Sequence, residues 1–369
     1  MKKHILVTGG AGFIGSYIVD ELLNQGHDVR ILDNFEPQVH KKEPNYLNKN
    51  AEFIKGDILN RQDIEKAIQD IDVIFHEAAM VGVGQSMYQP ARYVKINTYG
   101  TALLWDCMVN SKTNVKKFIV ASSMSTYGEG KYKCENCGVV YPSLRSEEQL
   151  KKGIWEMLCP NCSKKLSPLP TDEKKPQDCQ SIYALSKKDQ EEMTLMIGKA
   201  YGIPSIALRY FNVYGPRQSL NNPYTGLCAI FNSRIKNNNP PLVYEDGLQT
   251  RDFVNVKDIA SANIFVMENS SADYNSFNIG TGIPTSVLDI AKLLIKGHNS
   301  KLSSEIAKTY RKGDIRHCYS DISKIKSLGW TPKIKLEEGI NELISWAREE
   351  SAEDNFEKAQ AELKERKLI

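Results

Sequence analysis

The chain opens with short apolar runs that alternate with stretches whose apolar positions recur at helical spacing. Runs of the first kind are Ile5–Val7, Val29–Leu32, Glu52–Ile54, Val73–Phe75 and Phe118–Val120, and they predict buried strands. Between them, 14–24, 64–70 and 101–110 carry the period of amphipathic helices. Strand and helix in alternation predict an α/β fold with a doubly wound parallel sheet. Residues 129–170 break the rhythm with Gly, Pro, Lys and four cysteines, and read as an insert. A helix over 181–201 and a strand over 205–208 resume it. From Tyr210 onward shorter elements mix with loops: the Pro240-Pro241 turn, 242–244, 258–269, 277–279 and 286–295. The tail from Leu336 reads as one long, heavily charged helix with a solvated face. The expected organisation is residues 1–128 and 171–209 as the nucleotide-binding unit, 129–170 as the insert, and 210–369 as a smaller C-terminal substrate domain that partly returns to the sheet.

Composition narrows the functional classes. The 369 residues are 41% hydrophobic and 25% charged, with 48 basic residues and a net charge of +3. That balance gives no support to nucleic-acid binding. No apolar run approaches the ~20 residues of a membrane span, so no membrane partner is expected. The start, Met1-Lys2-Lys3-His4-Ile5-Leu6-Val7, stops at Thr8, Gly9 and Gly10 with no cleavage site, and reads as a strand rather than a secretory signal. A cytoplasmic location with reduced thiols is the expectation.

Three patterns carry chemistry. Thr8-Gly9-Gly10-Ala11-Gly12-Phe13-Ile14-Gly15 follows the first strand and opens a helix. Its glycines permit a tight turn and close approach of backbone to a pyrophosphate, and the helix start offers free N–H groups. Asp33 ends the second strand, 18 residues past Gly15, and could accept both ribose hydroxyls. It would repel a 2′-phosphate, and no Arg follows in Asn34-Phe35-Glu36, so NAD is favoured over NADP. Asp57, beside Ile58, could bond the adenine, and Ala78 and Ala79 are small enough to let the cofactor pass. Second, Tyr183 and Lys187 stand at i, i+4 on one helical face. An ammonium beside a phenol favours the phenolate and would poise Tyr183 as a base nearer neutrality. The loop Ser122-Ser123-Met124-Ser125-Thr126-Tyr127-Gly128 follows the fifth strand and puts hydroxyls at the carboxyl edge of the sheet. Third, Cys134/Cys137 and Cys159/Cys162 form two C-x-x-C pairs separated by 21 residues. This is the spacing of a structural four-thiolate zinc ribbon; a redox dithiol or two disulfides are the alternatives. Because both ends of the insert return to the loop that carries Ser125, a metal-stapled lid or interface element near the substrate pocket is expected.

Taken together, these motifs resemble the extended short-chain dehydrogenase/reductase family, specifically its NAD-dependent nucleotide-sugar epimerases and dehydratases. The resemblance spans nearly the whole chain outside 129–170. It implies an extended Rossmann fold with Tyr183 as base, Lys187 on the nicotinamide ribose, Ser123 on the sugar hydroxyl with Ser125 nearby, and Asn97 supporting the site. It further implies that Asn212, in Arg209-Tyr210-Phe211-Asn212-Val213-Tyr214-Gly215-Pro216-Arg217, contacts a sugar diphosphate, and that Arg251 and Arg311 grip nucleotide phosphates. The family's 4,6-dehydratases carry an acid pair where this chain has Ser123-Met124-Ser125, which argues for epimerisation at C4. The serine loop leading into a four-cysteine insert, with Asn222-Pro223-Tyr224-Thr225-Gly226 downstream, is similar to the subgroup containing dTDP-L-rhamnose 4-epimerases. The resemblance also makes Cys318 a small gate residue, which leaves UDP-hexose, UDP-N-acetylhexosamine and UDP-glucuronate open as substrates. A decarboxylase or reductase and a silent NAD-sensing scaffold are further alternatives. By the same resemblance the helices near 101–110 and 181–201 would form a homodimer.

Overall fold

A computed structural model describes residues 1–368. The predicted alternation folds as β1 (His4–Thr8), α1 (Phe13–Asn24), β2 (Asp28–Asp33), β3 (Glu52–Lys55), α2 (Arg61–Ala67), β4 (Val73–His76), α3 (Gly100–Asn110) and β5 (Lys117–Ser123). The insert follows, with β6 (Lys131–Cys134), β7 (Gly138–Val140), α4 (Glu147–Lys151) and β8 (Ser167–Leu169). Then come α5 (Ile182–Tyr201), β9 (Ser205–Tyr210), α6 (Leu227–Lys236), α7 (Val256–Glu268), β10 (Asn275–Ile279), α8 (Val287–Gly297), α9 (Leu336–Glu349) and α10 (Phe356–Glu365).

Seven strands form one parallel sheet in the order β10-β9-β5-β4-β1-β2-β3. Its strands are near-continuous apolar runs because helices cover both faces. On one side Ile5, Val7, Ile31 and Phe75 pack with Ile18 and Leu22 of α1 and Ile259 of α7. On the other, Leu6, Ile74 and Phe118 pack with Leu104 and Trp105 of α3. The chain's direction of travel reverses between β1 and β4, and a crevice opens there at the carboxyl edge, where such sheets bind ligands.

The C-terminal region has its own core, with Phe231 of α6, Ile290 and Leu294 of α8, and Ile340, Leu343 and Ile344 of α9. The tail departs from its sequence reading. It is two helices, α9 and α10, interrupted over 350–355. Apolar residues at helical spacing bury one face of each, and only the opposite faces are solvated.

The insert is a three-stranded antiparallel sheet, β7-β6-β8, over a core of only Tyr132, Cys134, Val140, Met157, Cys159 and Leu166. Its ends zip onto the 317–320 segment: Gly130 N donates to the His317 carbonyl at 3.0 Å and Thr171 N to that of Tyr319 at 2.8 Å. Charge completes the anchorage. The buried Glu129 carboxylate accepts from the N–H groups of Arg316 (2.7 Å) and His317 (2.8 Å). Arg145 grips Glu245 with two bonds, 2.7 and 2.8 Å, and the fully buried Arg316 is shared among Glu245, Asp246 and Glu156. Bidentate pairing of this kind is what a buried guanidinium requires.

Removing one partner of the Arg145–Glu245 pair strands a buried charge. Arg145→Met is expected to cost about 3 kcal/mol, read as a fall in the urea midpoint; an unchanged midpoint would show that the pair does not anchor the insert.

Candidate active site

The glycine turn is shaped by contacts no side chain would allow. Gly9 has φ +69°, and a Cβ there would lie 2.7 Å from the Ala78 backbone N. A Cβ on Gly15 would lie 2.3 Å from the Gly9 carbonyl oxygen. The first helix is thereby pressed onto the sheet, and its free N–H groups face the crevice. Asp33 braces the turn: its carboxylate accepts from the N–H groups of Ala11 (3.1 Å) and Phe35 (2.8 Å). Burial raises its pKa, and those bonds partly offset the rise.

Around this turn lies a cavity of about 580 Å³. Gly9, Gly12, Phe13, Ile14, Gly15, Asp33, Asn34, Asp57, Ile58, Ala78 and Ala79 line one end. Ser123, Ser125, Tyr183 and Lys187 line its middle, and Asn212 and Arg311 the far end. Asp57 accepts from Asn34 Nδ2 at 3.0 Å.

The reactive side chains meet where β5 ends. Ser181 caps α5, accepting from the Ala184 N–H at 3.1 Å, and so starts the helix two residues before Tyr183. Lys187 Nζ donates to the Ala121 carbonyl at 2.9 Å. Ser125 Oγ donates to Ser123 Oγ at 2.9 Å, and both serines line the cavity with Tyr183. Burial pushes the Tyr183 pKa up and the Ser123 hydroxyl acts against the rise, so the lowering expected from Lys187 is not what governs the phenol in this state. Burial holds the Lys187 ammonium well below the ordinary lysine range. Asn97 sits one layer back, in a π-helical turn over 94–99. It donates to Ser186 Oγ at 2.9 Å and pairs with the Met80 backbone at 2.8 and 3.0 Å, bracing α5 rather than lining the cavity. His76 is packed at its strand end, between the hydroxyls of Thr8 (2.7 Å) and Thr101 (2.8 Å).

At the far end Arg311 stacks 4.3 Å over the Tyr244 ring. Among the described residues its buried Nε and the Oδ1 of Asn212 have no partner, as groups reserved for a ligand would. Arg251 and Cys318 do not line the cavity. The Arg251 guanidinium donates to the carbonyls of Thr250, Ile315 and Arg316, and Cys318 packs with Met124, Tyr127 and Phe211 behind the serine loop. The lid expected of the insert is also corrected: no residue of 129–170 lines the cavity, because its ends pair outward with 317–320.

Several lining residues escaped the sequence reading. Glu77 and Tyr210 sit at strand ends, beside segments whose other residues carried the sequence reading. Phe356, Ala359, Gln360 and Leu363 of α10 close the far end, and Glu362 accepts from the hydroxyls of Tyr88 (2.9 Å) and Tyr224 (2.7 Å). Their helical spacing was the available signal.

The four insert thiols converge. The sulfurs of Cys134, Cys137, Cys159 and Cys162 lie within 4.8 Å of one another. Each pair sits on a tight turn, with positive φ just beyond it at Gly138 (+75°) and Ser163 (+58°). This donor set suits tetrahedral zinc.

The chain is similar to known proteins. Residues 5–145 match the model of the NAD dependent epimerase/dehydratase family, and 165–343 that of GDP-mannose 4,6 dehydratase. A dTDP-L-rhamnose 4-epimerase from Burkholderia thailandensis is 34% identical over 94% of this chain and 96% of its own. A putative UDP-glucose 4-epimerase of Methanocaldococcus jannaschii is 36% identical over 93% and 98%. Among solved structures, UDP-glucose 4-epimerase of Thermotoga maritima with UDP-glucose is 32% identical, with a TM-score of 0.77 over 94% of this chain and 98% of that one. No helix among the described residues is long and apolar enough to cross a membrane. Fold, cleft and relatives agree that the chain belongs to the NAD-dependent nucleotide-sugar epimerase/dehydratase family of extended short-chain dehydrogenases/reductases, within its epimerase class.

Proposed function

We propose that this protein interconverts nucleotide sugars at C4 with retained NAD, and that dTDP-L-rhamnose, giving dTDP-6-deoxy-L-talose, is its substrate. The observation that carries the reading is the meeting of Tyr183, Lys187 and Ser123 beside a serine loop without acids. A dehydration needs an acid and a base to remove water across the ring, and Met124 supplies neither. An epimerisation needs only one proton-handling site used twice. The glycine turn, Asp33 and Lys187 would hold NAD, which when bound accepts and returns the C4 hydride. Ser123 orients the sugar 4-hydroxyl, Tyr183 takes its proton and later gives it back. Asn212 and Arg311 hold the diphosphate while the 4-keto sugar turns over between the two transfers. The first-named relative supports the dTDP sugar. The second reading is a UDP-hexose, which the M. jannaschii and T. maritima proteins favour by name. Cys318, packed away from the cleft, lends nothing to an N-acetyl sugar.

Two further readings belong here. The thiol cluster is read as a structural zinc site, which orders an insert too small to fold on its core alone. Leu185 and Met196, three turns apart on one face of α5, are exposed along with Tyr99, and support the homodimer.

Purified protein mixed with dTDP-L-rhamnose and no added NAD is expected to form the C4 epimer by proton NMR with no net change at 340 nm. Conversion of UDP-glucose alone would move the assignment to the UDP sugar, and conversion of neither, with NAD supplied, would end the 4-epimerase reading for both. Tyr183→Phe is expected to lower kcat by about 10²–10⁴-fold while leaving bound NAD in place; an unaltered kcat would remove Tyr183 as the base. Elemental analysis is expected to find one zinc per chain. Cys137→Ser should release it and open 129–170 to protease; zinc retained by that variant would mean that Cys137 is not a ligand.

A further inference from the structure

Glu77 lines the same cavity as Lys187, and neither the glycine turn nor the Tyr/Lys pair accounts for it. Parallel pairing puts His76 level with Val120, so Glu77 lies alongside Ala121, whose carbonyl holds Lys187 Nζ at 2.9 Å. The carboxylate is aimed from the other side. Asn263 Nδ2, on α7, donates to the Tyr210 hydroxyl at 2.8 Å, and that hydroxyl donates to Glu77 Oε1 at 2.9 Å. Tyr210 is level with Ser123 on the neighbouring strand. The chain of bonds therefore ends at the cleft floor, at the carboxyl ends of the two strands that flank the one carrying the serine loop, in the cavity that Lys187 also lines.

We propose that Glu77 is a positioning residue that keeps Lys187 in its ammonium form by supplying the counter-charge within the buried site. The inference rests on Lys187 serving the reaction as described above. A lysine in a water-poor pocket favours the neutral amine, and one carbonyl contact does not reverse that preference. A neutral amine could neither attract a Tyr183 phenolate nor donate all its hydrogens to a ribose. Burial lowers the Lys187 pKa and Glu77 acts against it; reciprocally, burial raises the Glu77 pKa, with Tyr210 and Lys187 acting against that. The other titratable groups around the pair are Tyr183 on α5, Tyr210 on β9 and His76 on β4. The two phenols are raised by burial, and His76 is lowered to about 3, so all three are neutral near pH 7.

The test reads Lys187 directly. In protein labelled at the lysine ε-carbons, the Lys187 signal is assigned by its loss in Lys187→Arg and titrated from neutral to alkaline pH. Glu77→Gln keeps the acceptor for Tyr210 and the side-chain shape but removes the charge. The Lys187 midpoint is expected to fall by about one pH unit, and the alkaline limb of the epimerisation profile should move down with it. Tyr210→Phe breaks the brace but keeps the charge, and should shift the midpoint far less. A midpoint unmoved in Glu77→Gln overturns the proposal, as does an equal shift in Tyr210→Phe, which would mark Glu77 as structural. If Glu77→Gln does not fold, the reciprocal measurement decides. Lys187→Met must raise the midpoint of the Glu77 carboxyl, followed by its carbon signal, and no rise overturns the proposal. Because the two midpoints are read without turnover, a wild-type enzyme that fails to epimerise would count against the function and not against this pairing.

Discussion

The close approach of Gly9 to the Ala78 backbone is the constraint on which the site depends. It is possible because β1 lies between β2 and β4 and because Gly9 adopts a left-handed turn without a Cβ in the way. From that contact the rest follows in order. The turn sets α1 against the sheet, Asp33 locks the turn from β2, and the ends of β4, β5 and β9 bring Glu77, Ser123 and Tyr210 to the same crevice. A side chain at Gly9 would separate β4 from the turn and displace every one of these groups together.

Burial then decides the chemistry. Tyr183, Lys187 and Glu77 share a low-dielectric pocket, and each is pushed toward its neutral form. Their charge states therefore depend on one another. Asn97 contributes rigidity, since its π-helical turn ties the Met80 loop to α5. Groups held in this way do not have to reorganise as charge develops.

The insert works at a different level. It sits outside the cleft, yet it holds the segment from Lys312 to His317. Two arginines, Arg145 and Arg316, face Glu245, Asp246 and Glu156, and most of these charges are buried. Such a network specifies one geometry more than it adds net stability. The far end of the cleft, where Asp314 lines the cavity, is thereby braced from behind by a module whose own core is small.

What the sequence determined by itself was local. The glycine turn, the Tyr183/Lys187 pair and the two C-x-x-C turns each act over a few residues, where backbone geometry and helical period set the outcome. The alternation of apolar runs likewise settled the sheet, since a strand buried on both faces has few other places to lie. Tertiary structure decided the rest. Glu77 gains its meaning only because strand register sets it beside Ala121. The charged tail lines the cleft only because α9 docks on α6 and α8 and turns the chain back over 350–355. Arg251 matches a phosphate-binding pattern in sequence, but carbonyls 64 and 65 residues away claim its guanidinium. Pairings across such distances leave no periodic trace in the chain, because the strand order that brings them together is itself a product of the whole fold.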